Sequence, residues 1–345
     1  MTSTHTAKTA PATPDTPRAG APRRVLRAVA IAACLPYLAL KTAWLSGVHV
    51  GIPEGSEMLD PEHASSLAFA NLLTLAMDAA VVVLALALTL PWGRRLPAWL
   101  MALPLWAATG LLAPIALVVP LHTLLQAVTG NGRGVAAEEA EASLDGWVFT
   151  MVYTGFGVQA LALGALAVLY VRDRWGHLLR GRLSDLPAAS PTAPARRTTA
   201  VAAALTALLP LTAHLLWSTG ATVGLSAYQA ERNDGVFPLL AGLDALAAGA
   251  AAVGVLLLAF PAGRAGAIRL RTAIALAWTG SAVLATRSGW TLLTGVFNQG
   301  TVDPSQEPTA SMTLVYSVEM LVGILVLALG AHLFAERSAE RVSER

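Results

Sequence analysis

Charged residues are scarce in this chain. Only 13% of its 345 residues are Asp, Glu, Lys or Arg, and 55% are hydrophobic, whereas a soluble domain carries roughly 25% charged residues. The charges are grouped in short segments that long apolar runs separate. The net charge of +2 is an average over these segments, and it gives no indication of a nucleic-acid partner.

Cysteine and the common catalytic motifs are also nearly absent. Cys34 is the single cysteine, so no disulfide can form within the chain. The sequence has no phosphate-binding loop, no Gly-x-Ser-x-Gly, no HExxH and no cysteine pair. These absences argue against an ATP-driven pump in this chain alone. Whether the protein is an enzyme stays open, and we assign no catalytic residue, no metal and no cofactor.

Eight apolar runs are long enough to cross a bilayer, for which about 20 residues suffice. They cover residues 25–48, 67–90, 98–127, 147–171, 199–225, 239–260, 272–296 and 311–334. The sequence therefore predicts an all-α membrane protein with eight transmembrane helices. Prolines inside the third and fifth runs predict kinks there, because proline cannot donate its backbone hydrogen bond.

The positive residues predict the orientation. Apart from Lys41 and Arg287, 19 Lys and Arg residues lie at the N-terminal end up to Arg27, in alternate loops and in the tail, and only Arg133 and Arg232 lie in the intervening loops. Loops rich in Lys and Arg stay in the cytoplasm. We therefore expect a multi-pass protein of the plasma membrane with both termini in the cytoplasm.

The two halves of the chain resemble each other, with an offset of about 170 residues. Lys41-x-x-Trp44-x-Ser46-Gly47 matches His214-x-x-Trp217-x-Thr219-Gly220. The other matches, all in the same order, are Asp78 with Asp244, Pro91-x-Gly93-Arg94 with Pro261-x-Gly263-Arg264, Trp106 and Thr109-Gly110 with Trp278-Thr279-Gly280, and Thr150-x-Val152-Tyr153-Thr154 with Thr313-x-Val315-Tyr316-Ser317.

The repeat predicts two tandem four-helix units. An even number of helices gives both units the same orientation, related by an axis along the membrane normal. The predicted segments are a disordered N-terminus (1–22), a first unit (23–171), a basic linker (172–198), a second unit (199–335) and a cytoplasmic tail (336–345). With its His/Lys-x-x-Trp-x-x-Gly element, the pattern resembles small four-helix integral membrane proteins of actinobacteria. That group has no assigned function, so the resemblance implies a fold and no activity.

Six ionisable residues lie inside the apolar runs. At about 1.5 Å per helical residue, all six are beyond the membrane midplane, toward the outside. Charges at this depth usually face a bundle interior or a wet cavity. Their signs suggest pairs on consecutive helices. The six residues, in their predicted pairs, are Lys41 with Asp78, His214 with Asp244, and Arg287 with Glu319.

Other residues are candidates for the same region. Asn71 extends the face of Asp78, and His122 lies near the same level. Trp44 and Trp217 each follow a buried basic residue by one turn, although tryptophan near a helix end more often belongs to the interfacial belt. The first outer loop has possible metal ligands but no recognised metal motif: His49, Glu54, Glu57, Asp60, Glu62 and His63.

Three classes of function fit these features. The first is a protein that binds or transports a small polar solute or protons through an outward-facing polar cavity. The second is a sensor or assembly subunit, in which the buried charges only specify helix partners. The third is a membrane enzyme or a haem protein with His122 and His214 as axial ligands. Beyond the lipid bilayer, the sequence names no partner and no oligomeric state.

Overall fold

A computed structural model of the chain describes residues 20–54, 56, 59, 64–129, 144–186, 192–231, 233, 235–261, 263–297 and 305–343. Within these ranges the regular structure is helical, apart from one isolated bridge between Arg182 and Arg269. The first half contains α1 (Ala21–Leu45), α2 (Ala64–Thr89), α3 (Ala98–Thr129) and α4 (Gly146–Trp175). The second half contains α5 (Ala193–Thr206), α6 (Leu208–Ser218), α7 (Ala227–Glu231), α8 (Val236–Ala259), α9 (Leu270–Phe297) and α10 (Ala310–Ser343).

Among the described residues, seven helices are long and apolar enough to cross a membrane, with α5 and α6 counted together as one span. The eighth predicted span corresponds to α9, which has 28 residues but is not among these seven helices. Its sequence includes Arg287 and several Ser, Thr and Gly residues. Ser281 and Ser288 of α9 are buried, because α8, α10 and α3 pack around this helix.

The predicted kink in the fifth span is a break. The helix is interrupted at Ala207, three residues before Pro210, where the proline ring crowds the preceding turn and its nitrogen cannot donate. The span also begins and ends earlier than predicted, at Ala193 and Ser218. By contrast, α3 remains one helix through its three prolines.

The boundaries of the predicted segments differ in two places. The linker does not separate the halves freely, because Leu183 and Leu186 are buried in the core of the second half and the Leu183 N–H donates to the Ile268 carbonyl at 2.9 Å. The predicted tail belongs largely to α10, which continues to Ser343. Most of the segment predicted to be disordered lies outside the described residues, and α1 begins at Ala21.

The first span of each half ends in the same kind of turn. Gly47 and Gly220 have φ values of 84° and 93°, a left-handed conformation that glycine adopts at no steric cost. Just before them, the indole N–H groups of Trp44 and Trp217 donate to the carbonyl six residues ahead, at 2.8 and 3.0 Å. The shared sequence element therefore forms the same local structure twice.

The halves meet where α3 packs against α9. Trp106 Nε1 donates to Ser281 Oγ at 3.0 Å, and Trp278 Nε1 donates to Thr109 Oγ1 at 3.3 Å. These two hydrogen bonds are reciprocal when Trp106 is matched with Trp278, since the same offset then matches Thr109 with Ser281. The register differs slightly from the sequence comparison, which matched Thr109 with Thr279.

Candidate functional site

A small cavity in the second half is surrounded by four of the six predicted charged residues. His214 comes from α6, Asp244 from α8, Arg287 from α9 and Glu319 from α10. The cavity has a volume of about 30 Å³. A water molecule needs roughly 10–15 Å³ of such space, so the cavity admits one or two waters. The remaining lining includes Phe237, Leu240, Ala241, Ser288, Thr291 and Tyr316.

Asp244 and Arg287 form a two-point ion pair. Arg287 Nε donates to Asp244 Oδ1 at 2.9 Å, and Arg287 Nη2 donates to Asp244 Oδ2 at 3.0 Å. This fork arrangement is the strong geometry for a guanidinium and a carboxylate. The Arg287 side chain is 30% exposed and that of Asp244 only 6%, so Arg287 is the most accessible charged group at the cavity.

His214 and Glu319 form a second, deeper pair. The His214 Nε2 and Glu319 Oε1 atoms are 2.5 Å apart, and both side chains are nearly fully buried. Ser288 Oγ donates to the other oxygen of Glu319. The rings of Trp217 and His214 are almost perpendicular, with 5.0 Å between ring centres. Nδ1 of His214 has no hydrogen-bond partner among the described residues.

The pairing in this half differs from the sequence prediction. We expected His214 to pair with Asp244 and Arg287 with Glu319, on consecutive helices. The partners are exchanged, because the last span, α10, packs against the first span of the same half, formed by α5 and α6. That packing brings Glu319 next to His214. Asp244 pairs instead with Arg287 of α9, the next helix along the chain.

The charges of this cluster do not cancel when His214 is neutral. Asp244 and Glu319 then contribute two negative charges, and Arg287 contributes one positive charge. One proton on the His214–Glu319 pair makes the cluster neutral. A net charge in a low-dielectric interior is costly, so the arrangement favours the uptake of one proton.

Lys41 and Asp78 lie in a separate polar group in the first half. The Lys41 ammonium donates to Asn71 Oδ1 at 2.7 Å and lies 5.0 and 4.6 Å from the ring centres of Tyr37 and Trp44. It is buried rather than extended to the surface. The predicted pair with Asp78 is not a direct salt bridge, because Lys41 bonds to Asn71 and interacts with the Asp78 carboxylate only at longer range.

Trp44 and Trp217 are both buried. They therefore do not belong to a belt of tryptophans exposed to lipid at the membrane interface. Each one closes its own loop through the indole hydrogen bond described above and contacts the basic residue one turn before it. Trp44 lies under the Lys41 ammonium, and Trp217 meets the His214 ring. Their position at the two polar groups agrees with the sequence prediction that they accompany Lys41 and His214.

In each of the two candidate haem ligands, Nε2 lies at hydrogen-bond distance from another side chain. His122 Nε2 lies 3.2 Å from Gln126 Nε2, one turn further along α3, and His214 Nε2 faces Glu319. His122 is buried but does not line the cavity of the second half. Of the possible metal ligands in the loop between α1 and α2, four lie outside the described residues: Glu57, Asp60, Glu62 and His63. Within the described residues no group of three His, Cys, Asp or Glu side chains could hold a metal ion.

Three residues of the polar groups were not found from the sequence. Ser288 and Tyr316 line the second-half cavity, and Gln159 is buried beside Asp78. All three are uncharged, so a search for charges at membrane depth passes over them. Gln159 had a usable signal, since it is the only amide side chain in the apolar run of α4.

Comparison of the chain with protein-family models, curated proteins and solved structures gives no match. The arguments about function therefore rest on the geometry of the two polar groups.

Proposed function

We propose that this chain is a multi-pass protein of the plasma membrane whose second half takes up and releases protons at the His214–Glu319 pair. The observation that carries the proposal is this buried pair, with a 2.5 Å contact, beside a water-sized cavity. Its charged surroundings lack one positive charge when His214 is neutral. The other titratable groups that face it are Asp244 from α8, Arg287 from α9 and Tyr316 from α10.

The size of the cavity favours a proton over a polar solute. About 30 Å³ holds water but no metabolite, and water is the usual carrier between buried titratable groups and bulk solvent. Histidine suits the role because its ordinary pKa lies near neutrality. Arg287, the partly exposed member, is the natural boundary between the cavity and its surroundings.

An eight-span topology with both termini in the cytoplasm is part of this proposal. It is supported by α9, which is long enough to span and is surrounded by other helices, so it needs less apolar surface than a lipid-facing helix. The distribution of Lys and Arg, 19 against two, favours an even number of spans. In this orientation the cavity lies toward the outer side of the membrane.

We also propose that the two halves are tandem copies. Two observations support the duplication: the equivalent turns at Gly47 and Gly220, and the reciprocal indole hydrogen bonds of Trp106 and Trp278. The reciprocal contact is what a two-fold axis between α3 and α9 would produce. Proton binding in the second half would then alter the packing of one copy against the other.

Proton uptake by liposomes that contain the purified protein tests the proposal. A pH-sensitive dye inside the vesicles reports the response to an acidic pulse outside, in wild type, Glu319→Gln and the control Glu231→Gln, which changes an exposed glutamate of α7. We expect Glu319→Gln to lose at least nine-tenths of the uptake and the control to keep it. Equal uptake by wild type and Glu319→Gln would refute a proton route through this site.

A proton sensor that does not transport is the second candidate. It is favoured by the large apolar core of the second half, which runs along α8 from Ala247 to Ala259 and includes Leu329 and Leu333 of α10. A sensor would show no proton flux in either variant, but its thermal stability would depend on pH in the wild type and lose that dependence in Glu319→Gln. If the two pH profiles coincide, the pair binds no proton in this range and both candidates fail.

A further inference from the structure

The segment that follows α4 is joined to the loop before α9 by two backbone hydrogen bonds. One is donated by the Leu183 N–H, as described above, and in the other the Leu270 N–H donates to the Gly181 carbonyl at 3.1 Å. They flank an antiparallel bridge in which Arg182 lies opposite Arg269. Because the two arginines do not hydrogen-bond to each other, they form the kind of strand pair in which opposite side chains share a face and come closest.

The two arginines of this bridge point away from the protein core. Their neighbours Leu183 and Leu270 are fully buried in the core of the second half, and successive side chains of extended backbone point to opposite sides. Arg182 and Arg269 are both exposed. The bridge therefore places two guanidinium groups on one outer face, although like charges directly opposite each other weaken a strand pair.

The carboxylate beside the bridge, that of Asp185, does not balance this positive charge. It accepts a hydrogen bond from the backbone N–H of Arg182 at 2.8 Å. Its pKa is lowered by that hydrogen bond, by the Ser184 hydroxyl and by the charges of Arg182 and Arg337. Asp185 thus offsets two guanidinium groups with one negative charge, before Arg269 is counted. An additional anion between Arg182 and Arg269 would replace their repulsion with attraction to both.

The position of the bridge indicates where such an anion comes from. Arg269 directly precedes α9, whose 28 residues give a length of about 42 Å at 1.5 Å per residue. The hydrocarbon core and the headgroup regions of a bilayer together measure roughly 40–45 Å. If α9 spans the membrane as proposed above, the bridge lies at the level of the lipid headgroups. The preference of arginine for cytoplasmic loops explains its abundance here, but not two guanidinium groups on one face.

We propose that Arg182 and Arg269 bind the phosphate group of an anionic phospholipid in the cytoplasmic leaflet. The inference rests on the proposed topology and is independent of proton uptake by the His214–Glu319 pair. Guanidinium groups bind phosphate oxygens through paired, charge-assisted hydrogen bonds, and the cytoplasmic leaflet supplies anionic lipids. A zwitterionic lipid offers the same phosphate but brings its own positive charge, so it binds more weakly at this site.

Native mass spectrometry of the delipidated full chain in detergent tests the site without any measurement of proton uptake. Phosphatidylglycerol or phosphatidylcholine is added to wild type, to Arg182→Gln with Arg269→Gln, and to the control Arg24→Gln with Arg95→Gln. The control removes the same charge from two exposed arginines of the first half. We expect wild type and control to bind the first phosphatidylglycerol at least fivefold more tightly than phosphatidylcholine, and the bridge variant to lose this preference. Equal affinity of wild type for both lipids, or an equal loss in the control, would overturn the proposal.

Thermal unfolding separates a lipid site from a structural role of the arginines. Without anionic lipid, Arg269→Gln removes a like-charge contact, so its melting temperature should equal or exceed that of wild type. Phosphatidylglycerol should raise the melting temperature of wild type in a concentration-dependent way, because it binds the folded state, and should leave that of Arg269→Gln unchanged. If Arg269→Gln is less stable than wild type in the absence of anionic lipid, the side chain supports the fold itself and the proposal is wrong.

A soluble headgroup distinguishes a lipid from a free phosphate compound. Glycerophosphoglycerol is the headgroup of phosphatidylglycerol without its acyl chains, and it is added to wild type at the same molar concentration as the lipid. We expect no rise in melting temperature, because the membrane position of the site favours a ligand that is anchored there. A rise equal to that with phosphatidylglycerol, and absent from Arg269→Gln, would assign the site to a soluble phosphate ester and refute the lipid.

Discussion

Arg287 and Asp244 are joined by two parallel hydrogen bonds, of 2.9 and 3.0 Å, between neighbouring helices α8 and α9. Asp244 is almost completely buried, while part of Arg287 is accessible. The pair therefore fixes how α9 lies against α8. It also places a permanent positive charge beside the His214–Glu319 pair.

Asp244→Asn should destabilise the protein more than the double exchange Asp244→Asn with Arg287→Gln. Breaking one side of a fully buried ion pair costs about 3–5 kcal/mol, and we expect roughly 2 kcal/mol here because Arg287 is partly solvated. The double variant removes the unpaired charge and should recover at least half of the loss. Thermal unfolding in detergent measures both. Additive effects of the two single exchanges would contradict a direct pair.

Much of the candidate site was predictable from the sequence, because charge at membrane depth is rare. Lys41, Asp78, His214, Asp244 and Glu319 were all expected to be shielded from lipid, and all five are buried. Their partners were not predictable to the same degree. Consecutive helices are the natural first guess for contacts, but the packing of α10 against α6 depends on the whole bundle, and it exchanged the expected pairs.

The division into two polar groups was also beyond the sequence. Depth along a helix can be counted from the residue numbers, but rotation about the helix axis relative to its neighbours cannot. All six charges lie at similar predicted depth, yet the structure gathers four around the second-half cavity and puts Lys41 with Asn71. The position of Ser288 beside Glu319 is another product of rotation, since nothing in a single serine distinguishes it from the other small residues of α9.

Trp44→Phe and Trp217→Phe should destabilise the protein by similar amounts, about 1–2 kcal/mol each. Phenylalanine keeps most of the buried ring but removes the indole N–H, so a loop carbonyl loses its donor in each half. Trp99→Phe, which changes an exposed tryptophan, should have almost no effect. Thermal unfolding of the three variants checks the prediction. A loss in one half only would show that the two turns are not energetically equivalent.

Asp185 gives a pH dependence outside the helical spans. The Arg182 backbone N–H donates to Asp185 Oδ2 at 2.8 Å, and together with the Ser184 hydroxyl and nearby arginines it lowers the pKa of this exposed carboxyl. A lowered folded-state pKa stabilises the fold above the unfolded value, about 3.9, and this contribution is lost as the pH falls through the folded value.

Asp185→Asn should therefore have a slightly lower melting temperature than wild type at neutral pH, and the difference should shrink below about pH 4. The effect is small because the carboxyl is exposed to solvent. Unfolding measured between pH 3 and pH 7 gives the difference directly, with Glu231→Gln as a control at another exposed carboxyl. A difference that stays constant over this range would show that the lowered pKa is not coupled to folding.

Gly110→Ala should weaken the contact between the halves. A Cβ at Gly110 would lie 2.1 Å from the Ala282 carbonyl oxygen and 2.2 Å from Thr286 Oγ1, so α3 and α9 must separate, at a cost of about 1–3 kcal/mol. Gly157→Ala is the matched control, because its Cβ would meet nothing within 4 Å and alanine favours a helix by roughly 0.5–1 kcal/mol. Thermal unfolding should thus show opposite signs for the two variants. A neutral Gly110→Ala would mean that the α3–α9 contact is looser than the backbone approach indicates.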